Sequence, residues 1–165
     1  MLDIDGVVAD VRHRLHHLAG RPKRWSAFFA EADADPLLDV GASAARDLAD
    51  SGHDIVWLTG RPDRLRSVTL DWLARHHLPA GPLHMRADGD FRPARETKLA
   101  VLVALASSRR IAVLVDDDPQ VVAAVAGAGI PTRLADWVPR DADGPDAVVA
   151  SVASLHVAQE RDGRT

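Results

Sequence analysis

The chain has 165 residues, 47% hydrophobic and 27% charged, with a net charge of −4 and no cysteine. That length fits one compact domain with a core that needs no staples, and the composition excludes a disordered or collagen-like chain. Disulfides, thiolate metal sites and cysteine nucleophiles are ruled out, no apolar run approaches the ~20 residues of a membrane-spanning helix, and the acidic balance argues against a generic nucleic-acid binder.

No basic segment followed by an apolar one opens the chain, which reads as cytoplasmic. The first apolar run is MLDI, in which only Met1 and Leu2 precede Asp3. Central strands usually run about five residues. This first strand is therefore a stub, either built largely after Asp3 or continued by residues upstream. Residues 11–40 do not fit the alternation that follows, and read as an insertion over the sheet end. Further strands are predicted at 54–59, 82–85, 111–115 and 130–134, and helices near 42–51, 63–77, 94–107, 119–128 and 145–158. Pro62 can open one helix, and Gly127 and Gly129 mark the end of another. Short apolar strands separated by helices predict a parallel sheet covered on both faces. That is an α/β, Rossmann-like doubly wound layout with ligands at the carboxyl ends of the strands. Residues 1–139 form the domain, and 140–165 a C-terminal helix with a frayed tail, QERDGRT.

Four pieces fall at the carboxyl ends of predicted strands or the start of a helix. They are Asp3-Ile4-Asp5-Gly6-Val7, Leu58-Thr59-Gly60-Arg61, Lys98, and Val115-Asp116-Asp117-Asp118. Each has a bland reading alone: a turn, a strand-to-helix corner, a solvated lysine. Three successive aspartates exceed what a helix cap requires, and the order of all four carries the case. Carboxylates meeting at one rim repel unless a cation sits among them. Oxygen donors without cysteine favour Mg²⁺. With a hydroxyl and a lysine nearby, the set suits a phosphoryl group, whose transfer needs mostly positioning and charge neutralisation.

DIDGVVAD, VWLTGRP, Lys98 and VDDDP, in that order, resemble the four signatures of the haloacid dehalogenase (HAD) phosphohydrolases, over about residues 1–137. The resemblance implies that Asp3 is a nucleophile forming an aspartyl-phosphate, and that Asp5 is general acid and then base. Thr59 and Lys98 would hold the phosphoryl oxygens. Mg²⁺ would sit between the Asp3 carboxylate, the Asp5 carbonyl, and Asp116 or Asp117, with Asp118 as a helix cap. The gaps between motifs leave no room for a large cap domain, so the site is expected to be open.

HRLHHL, PKRWSAFF, MRADGDFRPARETK and VDDDPQVV are further similar to the phosphatase domain of phage-type polynucleotide kinases, whose substrate is a nucleic-acid 3′-phosphate. No kinase loop GxxxxGK[ST] accompanies it. An acidic residue expected four positions before the lysine is Ala94 here, and Glu96 is the substitute orienting group. Residues 11–30 carry Arg12, Arg14, Arg21, Lys23, Arg24 and three histidines with no acid. They form either a basic flap that grips flanking phosphates, with Trp25 stacking on a base, or a solvated face anchored by Trp25, Phe28 and Phe29. Gly60, Arg61, Arg86 and Arg24 are the substrate-binding candidates, whereas Arg92 could equally pair with Asp88 or Asp90. His53, His76, His77 and His156 receive no role. The expectation is a Mg²⁺-dependent polynucleotide 3′-phosphatase, with a phosphorylated substrate as its partner and no membrane. A small-molecule (nucleotide or sugar phosphate) phosphatase is the alternative, and a non-catalytic binding module a further one. A signalling receiver domain fits poorly, because its acidic strand should precede the Thr and Lys strands.

Overall fold

A computed structural model describes residues 1–138 and 151–162. Its helices are α1 (Trp25–Ala30), α2 (Asp39–Asp50), α3 (Arg66–Arg75), α4 (Ala94–Ala106), α5 (Pro119–Gly127) and α6 (Val152–Asp162). The strands are β1 (Trp57–Pro62), β2 (Leu83–Arg86), β3 (Leu114–Asp116) and β4 (Thr132–Leu134), and 3₁₀ turns cover Arg12–Leu18, Ala32–Ala34 and Asp63–Leu65. The mixed α/β alternation matches expectation, with small parallel ladders: β1 pairs β2, and β3 pairs β4.

Leu2 joins the two ladders through parallel bridges to Trp57 and to Val115. The Leu2 amide donates to the Val56 carbonyl, the Leu58 amide to Leu2, and the Asp3 amide to Val115. The stub is therefore a paired strand segment of Met1–Asp3. It is not built after Asp3, because the amides of Val7, Val8 and Ala9 all turn back onto the Ile4 carbonyl. With Leu2 level with Val115, Asp3 stands level with Asp116, which sets up the site.

β1 runs three residues beyond its expected end. Thr59-Gly60-Arg61-Pro62 reads as a corner, yet it continues as strand, with a register irregularity between Leu58 and Pro62. α5 starts where expected: the Asp118 side chain accepts from the Gln120 amide at 2.8 Å, and Pro119 follows it. α2 starts three residues early, and Gly41 lets it lie directly on the loop after Asp3. A Cβ at Gly41 would stand 1.7 Å from the Val7 carbonyl oxygen.

Among the described residues, apolar side chains gather in three clusters. The first surrounds Leu2, Ile4, Val7, Trp57 and Trp72 under the central strands. A second, with Leu58, Leu102, Leu114 and Val121, lies under α4 and α5. The third joins the 11–40 insertion to the C-terminal helix: Val11, Leu15, Leu18, Trp25, Phe28 and Phe29 pack with Val152, Leu155 and Ala158. Trp25 is buried, stacked on Phe29 at 6.0 Å between centroids. It anchors the insertion and is not available to stack on a base. The expected boundary at 139/140 and the first part of the helix expected at 145–158 lie outside the described residues. α6 begins at Val152 and continues as helix through Asp162, into the stretch expected to fray. Among the described residues, no helix is long and apolar enough to cross a membrane.

Candidate active site

Asp3 and Asp116 end neighbouring strands, and Lys98 rises from the second turn of α4 to bridge them. Its Nζ donates to Asp3 Oδ2 at 2.5 Å and to Asp116 Oδ2 at 2.7 Å. All three side chains are buried. Asp116 Oδ1 accepts the Asp118 amide at 3.0 Å, and Asp3 Oδ1 accepts the Ile4 amide at 2.7 Å. Lys98 therefore takes its orientation from the two carboxylates. Glu96 does not supply it: its side chain is exposed and lies 3.8 Å from Arg95. Ala94, where an acid was expected, is buried against Leu58 and Leu102.

Oxygen atoms of Asp3, Asp116 and Asp117 all lie within 4.8 Å of one another. One lysine faces this trio, which leaves a surplus of negative charge. Burial, with the Asp116 charge added, pushes Asp3 up to about 7 against the pull of Lys98. Burial raises Asp116 and Asp117 as well. Hard oxygen donors with surplus negative charge fit a cation such as Mg²⁺. Gly6 and His156 both stand against Asp117. Gly6 adopts φ +73°, and a Cβ there would stand 1.9 Å from Asp117 Oδ2. His156 Nε2 lies 2.9 Å from that same oxygen.

The second half of the site is charge-balanced. Asp5 Oδ1 accepts from Arg61 Nη2 at 2.6 Å, Arg61 Nε at 2.9 Å and Arg14 Nη2 at 3.0 Å. Arg61 Nη2 also reaches Asp35 Oδ2 at 2.6 Å, and Arg14 binds both Asp35 oxygens at 2.7 and 2.8 Å. Arg14 and Arg61 are fully buried. Burial alone would raise Asp5, but Arg61 and Arg14 outweigh it and hold the carboxylate at about 2. Asp35 moves the other way, because its burial exceeds what Arg14 and Arg61 return.

The remaining expected residues divide. Thr59 is buried in β1, its Oγ1 accepting the Arg61 amide at 3.2 Å, and Gly60 follows it half-buried. Arg86 ends β2 in register with Pro62 and bonds the carbonyls of Asp90 (3.2 Å) and Arg92 (2.6 Å), so it shapes the loop after β2. Arg92 itself pairs with Asp90 at 2.6 Å. Arg24 precedes α1, and its exposed side chain makes no capping bond to it. The basic flap is less basic outwardly than its composition suggests. Arg14 turns inward and Arg12 pairs with Asp10, while Arg21 and Arg24 are exposed and Lys23 is half-buried.

Arg14, Asp35 and His156 were not picked out as site residues. The signal for Arg14 was period three: in a 3₁₀ turn residues i and i+3 eclipse, and Val11, Arg14 and His17 are buried together. His156 sits four residues after buried Val152, on a face with Leu155, a core position by helical spacing. Asp35 had only the neighbouring Pro36 to mark it.

The fold resembles solved structures of a Pnkp1/Rnl/Hen1 complex, with TM-score 0.67 and 24% identity over 81% of this chain and 43% of that one. A second, a Pnkp1/Rnl/Hen1 RNA repair complex, matches with TM-score 0.65 and 25% identity over 81% of this chain and 40% of the other. Over 49 residues, 29% of the chain, it is 41% identical to membrane-associated phosphatidylinositol transfer protein 1 of Rattus norvegicus, Mus musculus and Homo sapiens. The chain spans 4% of the length of these curated relatives and less than half of the matched solved chains. Residues 1–133 match the polynucleotide kinase PNKP phosphatase domain, and the chain belongs to that family of HAD-type phosphatases.

Proposed function

We propose that this domain is a Mg²⁺-dependent polynucleotide 3′-phosphatase of nucleic-acid end repair, working through an aspartyl-phosphate on Asp3. The observation that carries the chemistry is the meeting of Asp3, Asp116 and Asp117 within 4.8 Å beside one buried lysine. The doubly wound core without a large cap is part of this proposal, supported by the Leu2 bridges between the two ladders. Residues 11–40 act as the flap at its rim, and 140–165 as the C-terminal segment.

Asp3, the Asp5 carbonyl and Asp116 or Asp117 would hold Mg²⁺, which when bound neutralises charge on the phosphoryl oxygens. Asp3 attacks phosphorus through a carboxylate oxygen, and the bond from phosphorus to the nucleic-acid 3′ oxygen breaks. Lys98 and Thr59 bind the transferring oxygens. Asp5 gives its proton to the leaving oxygen, then takes one from the water that attacks the aspartyl-phosphate and frees inorganic phosphate. The resting Asp5 is ionised, because Arg61 and Arg14 hold it at about 2. Its resting state therefore suits the base half. For the acid half Asp5 first takes up a proton from solvent, and the negative charge of a phosphate bound beside it raises its affinity for that proton.

The nucleic-acid assignment rests on the family, on the exposed Arg21 and Arg24 and on the half-buried Lys23, since Trp25 is buried. Related solved chains form a Pnkp1/Rnl/Hen1 RNA repair complex, and this chain is proposed to have nucleic-acid and protein partners of that kind. The test is phosphate release with Mg²⁺ from a 3′-phosphorylated oligonucleotide, beside its 5′-phosphorylated isomer, p-nitrophenyl phosphate and a nucleotide panel, with Asp3→Asn as blank. Preference for the 3′-phosphorylated oligonucleotide is expected. Preference for nucleotides would keep the phosphatase chemistry and refute the end-repair substrate.

A further inference from the structure

We infer that His156, on the C-terminal helix, is a positioning residue for the cation cradle: its Nε2 fixes the Asp117 carboxylate in the orientation that meets the metal. The inference rests on the reading of Asp3, Asp116 and Asp117 as that cradle. His156 and Asp117 are each 6% exposed and 39 residues apart in sequence, and their side chains meet at 2.9 Å. His156 lies beyond residue 133, where the family match ends.

Two further contacts hold α6 where this bond requires it. Val152, Leu155 and Ala158 pack into the cluster built by Leu15, Leu18, Trp25 and Phe28. At the far end, Glu160 forms an ion pair with Arg95 in the first turn of α4, the helix that carries Lys98. α6 therefore spans from the insertion to the lysine helix and sets His156 between them. Asp117 Oδ2 also lies close against Gly6, where a Cβ would stand 1.9 Å from it. A hydrogen bond to Oδ2 and the close Gly6 backbone both favour one setting of the carboxylate, and with it one direction for the second oxygen. Hydrogen bonds of this outer kind orient metal ligands, and their loss typically costs 10–100-fold in metal affinity or activity.

The test is Mn²⁺ binding to the full chain, followed by electron paramagnetic resonance of free Mn²⁺, with thermal melts alongside. The proteins are the wild type, Asp117→Asn, His156→Phe and His156→Gln. Phenylalanine keeps the packed volume and removes the bond, whereas glutamine keeps an N–H donor. We expect the His156→Phe chain to bind Mn²⁺ about 10-fold more weakly, and His156→Gln to recover most of the loss. Wild-type affinity in His156→Phe, or equal weakness in both His156 variants at matched folding, would overturn the role. If the wild type binds no Mn²⁺, or Asp117→Asn binds it as tightly as the wild type, the cradle reading itself falls.

Discussion

Gly6→Ala separates backbone strain from damage to the site. Gly6 and Gly129 both have positive φ, +73° and +79°, but a Cβ at Gly129 meets nothing within 4 Å. A side chain at such a φ costs roughly 1–2 kcal/mol, and each 1 kcal/mol lowers Tm by about 2–4 °C in a domain of this size. Gly129→Ala should show that strain alone, a fall of roughly 2–8 °C with phosphatase activity within about twofold of wild type. At Gly6 the new methyl would lie 1.9 Å from Asp117 Oδ2 and 2.4 Å from its Cγ, so the carboxylate has to retreat to the 3.4 Å of ordinary contact. Displacements of about 1 Å at a reacting centre can cost ~100-fold in rate. Gly6→Ala is thus expected to lose about 100-fold in kcat/KM for p-nitrophenyl phosphate with Mg²⁺, beyond its loss of stability. Equal activity in the two variants at a temperature where both are folded would refute the placement of Asp117 in the working site.

Further predictions follow from the same geometry. Arg61→Ala leaves Asp5 and Asp35 buried with one shared guanidinium, and should destabilise by about 3–5 kcal/mol in chemical denaturation; Arg61→Lys should recover little, since an ammonium cannot repeat the forked contacts. A wild-type midpoint for the lysine variant would contradict this. In metal-free protein the folded chain binds the Asp3 proton more tightly than the unfolded chain, its pKa raised from 3.8 to about 7. The Asp3 contribution to stability is therefore best below pH 3.8 and declines as pH rises towards about 7. The difference in Tm between wild type and Asp3→Asn should change across that window, and a flat difference would refute the raised Asp3 pKa. Trp25→Ala should cost about 3–5 kcal/mol of stability as a core truncation. Trp25→Phe should leave the ratio of oligonucleotide to p-nitrophenyl phosphate activity unchanged, whereas a selective loss on the oligonucleotide would restore the stacking role.

Much of the site was legible because its parts follow rules visible along the chain. Apolar stretches ending in Asp3 and Asp116 mark strand ends, and parallel pairing carries Asp3 level with Asp116 by register; the stretch ending in Thr59 marks a strand that runs on to Pro62. Asp118 caps α5 because an aspartate before a proline is a helix start. Interactions that depend on distant packing left weaker marks. Arg14 looked like one of five flap cations, and only the 3₁₀ period of Arg12–Leu18 turns it inward to Asp5 and Asp35. Trp25 offered both a stacking and an anchoring reading, and the third apolar cluster decides between them. His156 reaches Asp117 through the docking of α6 on the insertion, a contact between the two segments that fit the alternation least.

The most direct test of Asp3 as the nucleophile is a rapid acid quench with an oligonucleotide labelled in its 3′-phosphate, in Mg²⁺. Label should appear on the protein during turnover, map to the peptide that contains Asp3, and be absent in Asp3→Asn. Turnover at the wild-type rate by Asp3→Asn, or label on a peptide elsewhere in the chain, would contradict the mechanism.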